Sequence, residues 1–300
     1  MKVCPLPNLD LEQTFIEMRR VLLKSVYEIK FSEDCLKFLS ALSQQCFVNE
    51  YIYSQTKSEN DEIEKLESLI KELLLKGIQP KPQFILCLSA YSSLHKYDWS
   101  DSLEINRIIF EVYTQQLIES QEEIYIKSNI EILDNITDNT SSKVRDQYET
   151  NPYPRWVNLG LPYVSINISD LNQLQLYDKN IKQVKKPSLL IAGCGTGQHS
   201  IYEAVRFKNS NVTAIDLSLS SLAYAIRKTK DLKLNNIQYK HADILNLQNF
   251  KNKFDIIETV GVLHHMKYPM KGWRILTSCL KKGGIIRLGL YSEIARKHIV

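Results

Sequence analysis

Apolar residues in the first part of the chain recur every three or four positions, which is the spacing of amphipathic helices. The predicted helices cover residues 11–28, 32–54, 58–76, 82–95 and 103–120. Ser32 is a predicted N-cap of the second helix, and Gly77 ends the third. No period of about 34 residues recurs, so the pattern does not predict a helical repeat array.

From about Ser188 the rhythm changes, and short apolar runs alternate with helical segments. This alternation predicts a parallel sheet with helices on both faces. The predicted strands are SLLIA, VTAID, IQYKHAD, FDIIETV and GGIIRLGL. The sequence therefore predicts a helical domain over 1–127, a linker over 128–187 and an α/β domain over 188–300. Because ligands of such sheets bind beyond the carboxyl ends of the strands, the residues after each strand are the candidates for chemistry.

Three glycines follow the first predicted strand, namely Gly193, Gly195 and Gly197. Glycine lets a backbone turn sharply and approach a ligand, and the next helix offers free amide groups at its N-terminus. A dinucleotide fingerprint would have its third glycine at the position of Gln198. The loop departs from that fingerprint, and its glycine spacing alone identifies no ligand.

Acidic residues end the second and third predicted strands. Asp216 is placed to accept hydrogen bonds from both hydroxyls of a ribose. Asp243 is suited to accept from an exocyclic amine such as that of adenine. Either acid alone is more often a helix cap or a turn residue. Together with the glycine loop, however, they place ligand-binding features at three successive strand ends.

Five motifs at these strand ends resemble those of the Rossmann-like, class I S-adenosylmethionine-dependent methyltransferases. They read LLIAGCGTGQ, VTAIDLS, HADIL, FDIIETVGVLHHM and LKKGGIIRLGLYS, and the resemblance extends from about Val144 to the C-terminus. It implies a doubly wound, mostly parallel sheet after an all-α N-terminal domain, with S-adenosylmethionine as cofactor. The cofactor-binding residues that it implies are Gly193, Cys194, Gly195, Thr196, Gly197, Gln198, Asp216, Leu217, Asp243, Ile244, Glu258 and Val260.

The family's motifs also imply a role for each part of the site. The glycines would pass under the methionine and ribose part of the cofactor. Asp216 would hold the ribose, and Asp243 would hold the adenine amine with Ile244 against the ring. Residues 258–262 would lie beside the sulfonium that donates the methyl group.

The chain departs from the family pattern in two places. The acid that usually stands two residues before the first glycine is Ile191 here, with Gln198 and His199 as candidates to compensate. The fifth predicted strand ends at Leu290, where the family's sheet usually adds two further strands. We therefore expect a sheet without its last two strands, in a domain that is truncated at its C-terminus or closed differently.

The run NPYPRW, residues 151–156, has residue types in common with the Asn-Pro-Pro-Tyr tetrad of nucleic-acid amino-methyltransferases. Its order differs, however, and residues 258–261 occupy the place of that tetrad after the fourth strand. The surrounding segment resembles the cover of the cofactor in small-molecule methyltransferases. It also resembles bacterial methyltransferase domains, sometimes joined to tetratricopeptide repeats, that share QYExNPYPRW and QQCFxNEY. The predicted lid or substrate residues are Tyr148, Tyr153, Arg155 and Trp156, and the alternative is a linker whose aromatic side chains simply pack.

Charge divides the chain unevenly. Residues 1–145 carry 16 Lys+Arg against 23 Asp+Glu, a net charge of −7, whereas residues 146–300 carry 22 against 11, a net charge of +11. The basic half suits a negatively charged ligand, and the alternatives are attraction between the halves or a solvated surface. The six cysteines form no CxxC pair and no residues mark a metal site. With no signal-like or membrane-spanning apolar run, we expect a cytoplasmic protein.

The sequence therefore predicts an enzyme that transfers a methyl group from S-adenosylmethionine to an unidentified small-molecule acceptor by in-line displacement. His264 and His265 are the candidate general bases, because imidazole titrates near neutral pH. The alternative for these two residues is a helix-start or turn role. Two other functions stay open, a nucleic-acid methyltransferase that uses the basic half and a non-catalytic S-adenosylmethionine-binding module.

Overall fold

The structure is a computed structural model that describes residues 8–171, 179–292 and 294. The chain divides into two compact units. Unit 1 comprises Met1–Glu122 and Pro154–Asn158, and unit 2 comprises Glu123–Tyr153 and Leu159–Val300. One boundary falls inside NPYPRW, and residues 123–153 group with the unit that contains the sheet. In the described residues, no helix has both the length and the apolar character needed to cross a membrane.

Unit 1 consists of helices around one apolar core. They are α1 (Leu9–Lys24), α2 (Glu33–Val48), α3 (Lys57–Leu75), α4 (Pro82–Ser89), α5 (Phe110–Tyr113), and the start of α6 (Glu119–Lys127) after a π-helical turn at Thr114–Ile118. Fully buried leucine and isoleucine side chains from successive helices form the core, among them Leu23, Leu39, Leu42, Leu66, Ile70, Ile85 and Leu88. The helical spacing read from the sequence thus corresponds to a buried stripe on each helix.

Several helix boundaries differ from the sequence-based expectation, and the first helix ends at Lys24 and not at residue 28. Helix α2 ends at Val48 and not near residue 54, because Glu50 and Tyr51 take left-handed backbone conformations with φ of 57° and 55°. Helix α4 ends at Ser89 and not at residue 95. The last predicted helix begins at Phe110 and not at residue 103, because the Asn106 side chain accepts the backbone N–H groups of Ile108 and Ile109.

Unit 2 is built on a five-stranded sheet. Its strands are β1 (Ser188–Ala192), β2 (Asn211–Asp216), β3 (Ile237–His241), β4 (Phe254–Val260) and β5 (Leu280–Gly289). The strand order is β3-β2-β1-β4-β5 and all neighbouring strands are parallel. The helices of this unit are α7 (Asn139–Thr150), α8 (Gln198–Arg206), α9 (Leu219–Asp231) and α10 (Pro269–Cys279). This is the Rossmann-like α/β architecture that the motifs predict.

Both faces of the sheet are buried, as the apolar runs of its strands require. Leu189 and Ile191 of β1 enter one core with side chains of α8 and α9. Leu190 and Ala192 enter a second core with side chains of α10. The strand order reverses between β1 and β4, so the carboxyl ends of these two strands flank the place where such sheets bind ligands.

Candidate cofactor site

The loop after β1 takes a left-handed backbone conformation at each of its three glycines. The φ angles are 77° at Gly193, 51° at Gly195 and 88° at Gly197. A Cβ atom at Gly193 would lie 2.3 Å from Val262 Cγ2, and one at Gly197 would lie 2.6 Å from Ala225 Cβ. A Cβ atom at Gly195 would meet no atom within 4 Å. Two glycines therefore permit close packing, and the middle one faces open space.

The carboxylate of Asp216 ties this loop to the end of β2. Its Oδ2 accepts the N–H of Gly195 at 2.8 Å, and its Oδ1 accepts the N–H of Ser218 at 3.0 Å. Burial raises the pKa of Asp216, and the backbone N–H groups of Ser218 and Gly195 oppose that rise. The carbonyl of Leu217 accepts a hydrogen bond from His241 Nε2 at 2.8 Å. The loop after β2 is thus held in place by its own backbone and by β3.

Asp243 follows β3 as the helix cap that its sequence position also allowed. Its side chain is buried, and Oδ1 accepts the N–H of Leu245 at 2.8 Å. Ile244, which is buried, begins the short 3₁₀ helix Ile244–Phe250 that Asp243 caps. The capping role uses one carboxylate oxygen, so the residue retains capacity to accept from a ligand.

Other predicted cofactor residues line the glycine loop and the end of β4. Cys194 and Thr196 are buried, and burial raises the pKa of the Cys194 thiol. Gln198 is the first residue of α8. The side chain of Glu258 is only 4% exposed, whereas Val260, two residues on, is 45% exposed. Strand β4 therefore emerges from the core between these two positions.

Glu258 lies in a cluster of charged groups on one face of the sheet. His199 Nε2 is 2.5 Å from Glu258 Oε2, and Arg287 Nη1 is 3.2 Å from the same oxygen. Glu203 of α8 pairs with Arg206 at 3.2 Å and lies 3.8 Å from Arg287. Burial raises the pKa of Glu203, and the nearby charge of Glu258 adds to the rise.

The spacing of this cluster would also suit a metal ion. Candidate ligand atoms of His199, Glu203 and Glu258 all lie within 4.8 Å of one another. Arg206 and Arg287, however, contact the same two carboxylates. Because these guanidinium groups balance the carboxylate charges, the cluster requires no cation.

The predicted bases lie in a short 3₁₀ helix after β4. The ring of His264 stacks on Tyr291 with a centroid distance of 3.7 Å and an interplanar angle of 28°. The ring of His265 lies 4.3 Å from that of His264 and edge-on to Tyr291. The structure thus brings both histidines together with one tyrosine that sequence reasoning did not single out.

The end of α7 is fixed beside the Asp216 loop. Ser218 Oγ donates to the carbonyl oxygen of Tyr148 at 3.0 Å, and Glu149 Oε2 accepts the N–H of Ser220 at 3.1 Å. Lys127 pairs with Glu149 at 2.5 Å. Burial raises the pKa of Tyr148, with smaller contributions from Tyr291 and Asp216. Of the predicted lid residues, Tyr148 therefore lies near the site.

The other lid candidates fall on both sides of the unit boundary. Tyr153 belongs to unit 2 and is 63% exposed. Arg155 belongs to unit 1, where its Nε lies 2.5 Å from Glu50 Oε1 and its guanidinium group lies over the Phe47 ring. Trp156 is buried in the same unit. The run QQCFVNEY thus contacts the part of NPYPRW that belongs to unit 1.

The region that contains the glycine loop and the acidic strand ends matches a known family. Residues 189–284 match the family model described as a methyltransferase domain. We name this part of the chain the methyltransferase domain after that match. S-adenosylmethionine is the cofactor that its motifs imply.

Part of the chain is similar to parts of longer proteins. An uncharacterised protein of Synechococcus sp. is 36% identical over 118 residues, which are 39% of this chain and 28% of the relative. (S)-Coclaurine N-methyltransferase of Papaver somniferum is 27% identical over 122 residues, 41% of this chain and 34% of the relative. A solved structure of phosphoethanolamine N-methyltransferase 2 of Haemonchus contortus, with phosphomonomethylethanolamine and S-adenosylhomocysteine, is 24% identical with a TM-score of 0.32. That likeness covers 38% of this chain and 28% of that one. The chain matches no more than about a third of the length of these proteins.

The residues of the methyltransferase domain fit this cofactor. Gly195 faces open space beside Asp216, where a methionine and ribose chain can lie against the backbone. A carboxylate offers about four acceptor positions, so Asp216 and Asp243 can bind hydroxyl and amine groups beyond their backbone partners. The assignment of individual residues to parts of the cofactor remains a prediction.

Besides Tyr291, three further groups make contacts at the predicted residues that sequence reasoning did not foresee. Arg287 lies on β5 and Glu203 lies on α8, and both belong to the Glu258 cluster. Glu50 is the partner of Arg155. In the sequence, only the place of Arg287 near the end of an apolar strand indicated a role, because a charged side chain in such a place needs a partner.

Proposed function

We propose that the chain transfers a methyl group from S-adenosylmethionine to a small-molecule acceptor by in-line displacement. The observation that carries the proposal is the contact of the glycine loop with Asp216 at the carboxyl edge of the sheet. There the N–H of Gly195 donates to Asp216 while the α-carbon of Gly195 faces open space. When bound, S-adenosylmethionine supplies a methyl group attached to a sulfonium sulfur. The neutral thioether that remains after transfer is a good leaving group.

The chain's own residues bind the donor and orient it in this proposal. Asp216 holds the ribose hydroxyls, and Asp243 accepts from the adenine amine while buried Ile244 packs on the ring. The end of β4, from Glu258 to the exposed Val260, lies beside the reacting carbon. Because displacement from a sulfonium needs little acid-base assistance, alignment of donor with acceptor and exclusion of water account for most of the catalysis.

An acceptor that carries a proton needs a base, and His264 and His265 are the proposed groups. Both follow the exposed end of β4, and stacking on Tyr291 fixes the ring of His264. A neutral imidazole in this position takes the acceptor's proton as the new bond to carbon forms.

The proposed lid is the segment from the end of α7 to Tyr153. The carbonyl contact between Tyr148 and Ser218 holds this segment beside Asp216. Tyr153, which is 63% exposed, has surface available to cover a bound cofactor. For Arg155 and Trp156, contact with the substrate remains a prediction from the sequence, since Arg155 pairs with Glu50 and Trp156 is buried.

A small-molecule acceptor is favoured over nucleic acid. The relative named (S)-coclaurine N-methyltransferase acts, by its name, on a small amine. The basic half of the chain would support the alternative only through strong, salt-dependent binding of RNA or DNA. Retention of nucleic acid that falls steeply between 50 and 200 mM salt, about 10³-fold or more, would favour that alternative.

The first test is calorimetric titration of the chain with S-adenosylhomocysteine. We expect Asp216→Ala to weaken binding by at least about 30-fold, because it removes a charged acceptor of two hydroxyls. Asp98→Ala is the matched control, since Asp98 lies in unit 1 with a side chain 73% exposed. Absence of binding by the folded wild-type chain would refute the proposed function. Binding without methyl transfer to any acceptor in small-molecule extracts would indicate a non-catalytic module.

A further inference from the structure

The carboxylate that the sequence lacks on β1 is present on the neighbouring strand. In the parallel register, Ile191 of β1 lies opposite Glu258 of β4. Ile191 enters the same core as Ile256, and side chains two residues apart on a strand share a face. Glu258 therefore projects from the same face of the sheet as Ile191, one strand away.

At position 191 the chain carries an apolar side chain and no carboxylate. This side chain is fully buried in an apolar core, with none of its surface exposed. Glu258 is also buried, but it lies near the carboxyl end of β4, two residues before the 45% exposed Val260. The end of β4 thus brings a carboxylate to the edge of the sheet at the level where β1 carries none.

The partners of Glu258 connect its carboxylate to the glycine loop. His199 is the second residue of α8, two residues after Gly197, and its Nε2 lies 2.5 Å from Glu258 Oε2. Arg287 faces Glu258 across the β4–β5 register, and its Nη1 lies 3.2 Å from the same oxygen. Among the described residues, no hydrogen bond reaches the second oxygen, Oε1. One oxygen is anchored, and the other is available to a ligand.

The surrounding charges allow a carboxylate to exist in this buried place. Two carboxylates, those of Glu203 and Glu258, face two guanidinium groups, those of Arg206 and Arg287. A buried charge is tolerated when it is paired in this way. The positive and negative charges of this cluster already balance. A ligand that carries both charges, such as an amino acid zwitterion, therefore suits the cluster better than a bare metal ion.

We propose that Glu258, oriented by His199 and Arg287, binds the α-ammonium group of the methionine part of S-adenosylmethionine. This inference rests on the proposed function and names Glu258 as a binding residue that replaces the acid absent at position 191. An ammonium group donates up to three hydrogen bonds, and a buried carboxylate is its strongest acceptor. Glu258 selects donors that keep their amino group.

The test is a cycle of four titrations. The wild-type chain and Glu258→Gln are each titrated with S-adenosylhomocysteine and with its analogue in which hydrogen replaces the amino group. We expect the wild-type chain to bind the deaminated analogue about 10- to 100-fold more weakly. Glu258→Gln keeps the shape of the side chain and should bind both ligands within about threefold of each other. Glu131→Gln, at an exposed glutamate of unit 2, should discriminate like the wild-type chain.

The outcomes separate this inference from the proposed function. Equal affinity of the wild-type chain for both ligands would overturn the role of Glu258 and leave the proposed function standing. The same discrimination in Glu258→Gln as in the wild-type chain would also overturn it. Failure of the wild-type chain to bind either ligand would refute the proposed function itself. Thermal melts of each variant confirm folding, and equal affinity of the wild-type chain for both ligands overturns the inference even where a variant is unstable.

Discussion

Replacing glycines of the loop after β1 with alanine separates packing from ligand binding. At Gly193 an alanine would pay about 1–2 kcal/mol for a left-handed conformation. Its Cβ would also lie 2.3 Å from Val262 Cγ2 and 2.9 Å from Cγ1, an overpacking that costs about 1–3 kcal/mol. At Gly195 only the conformational cost of about 1–2 kcal/mol applies, since no atom lies within 4 Å. We therefore expect Gly193→Ala to destabilise unit 2 by about 2–5 kcal/mol and Gly195→Ala by about 1–2 kcal/mol.

The assay is urea denaturation followed by tryptophan fluorescence. In a background with Trp99→Phe and Trp156→Phe, the remaining Trp273 on α10 reports on unit 2. This matters because two units can unfold separately, and a single transition would then have no defined free energy. The free energy of unfolding and its dependence on urea are compared among the parent, each single variant and the double variant Gly193→Ala/Val262→Ala.

The double variant tests the physical cause. If the clash with Val262 is responsible, Val262→Ala should recover part of the loss, with a coupling of about 1–3 kcal/mol. Gly195→Ala should show the opposite profile, with a small loss of stability but a large loss of affinity for S-adenosylhomocysteine. Equal destabilisation by the two single variants, or a coupling near zero, would refute the assignment of different roles to the two glycines.

Three further predictions concern stability. Thr56→Ala should cost unit 1 about 1–2 kcal/mol, because it removes one half of a capping box with Glu59, and Thr56→Ser should restore most of it in the same denaturation assay. Burial raises the pKa of Glu203, so the folded state binds its proton more tightly than the unfolded state and loses stability as pH rises above about 4.3. The free energy of unfolding of the wild type minus that of Glu203→Gln should therefore decrease between pH 4 and pH 7 in urea titrations. An increase of this difference with pH would contradict the direction of the pKa shift. Arg155→Met should destabilise unit 1 by about 1–3 kcal/mol, whereas Arg107→Met, whose side chain is 86% exposed, should change it by less than about 0.5 kcal/mol.

Much of the architecture was predictable because it depends on local patterns. The three- to four-residue spacing in unit 1 and the apolar runs in unit 2 each reflect which face of an element is buried. The glycine loop and the two aspartates could be placed at strand ends because parallel strands bring their carboxyl ends to one edge. The helix boundaries were less accurate. The left-handed turn that ends α2 lies at Glu50 and Tyr51, and no glycine or proline there marks it in the sequence.

The sequence by itself determined the class of fold and predicted the cofactor and the residues that bind it, because spacing and residue type are local properties. Only the tertiary structure decided which charges meet. The pairing of Arg155 with Glu50 joins residues far apart in the chain. The placement of Glu258 opposite Ile191 depends on the register between two strands separated by two α-helices, two strands and a 3₁₀ helix. No local pattern encodes such a register, since it is set by how both faces of the sheet pack against their helices.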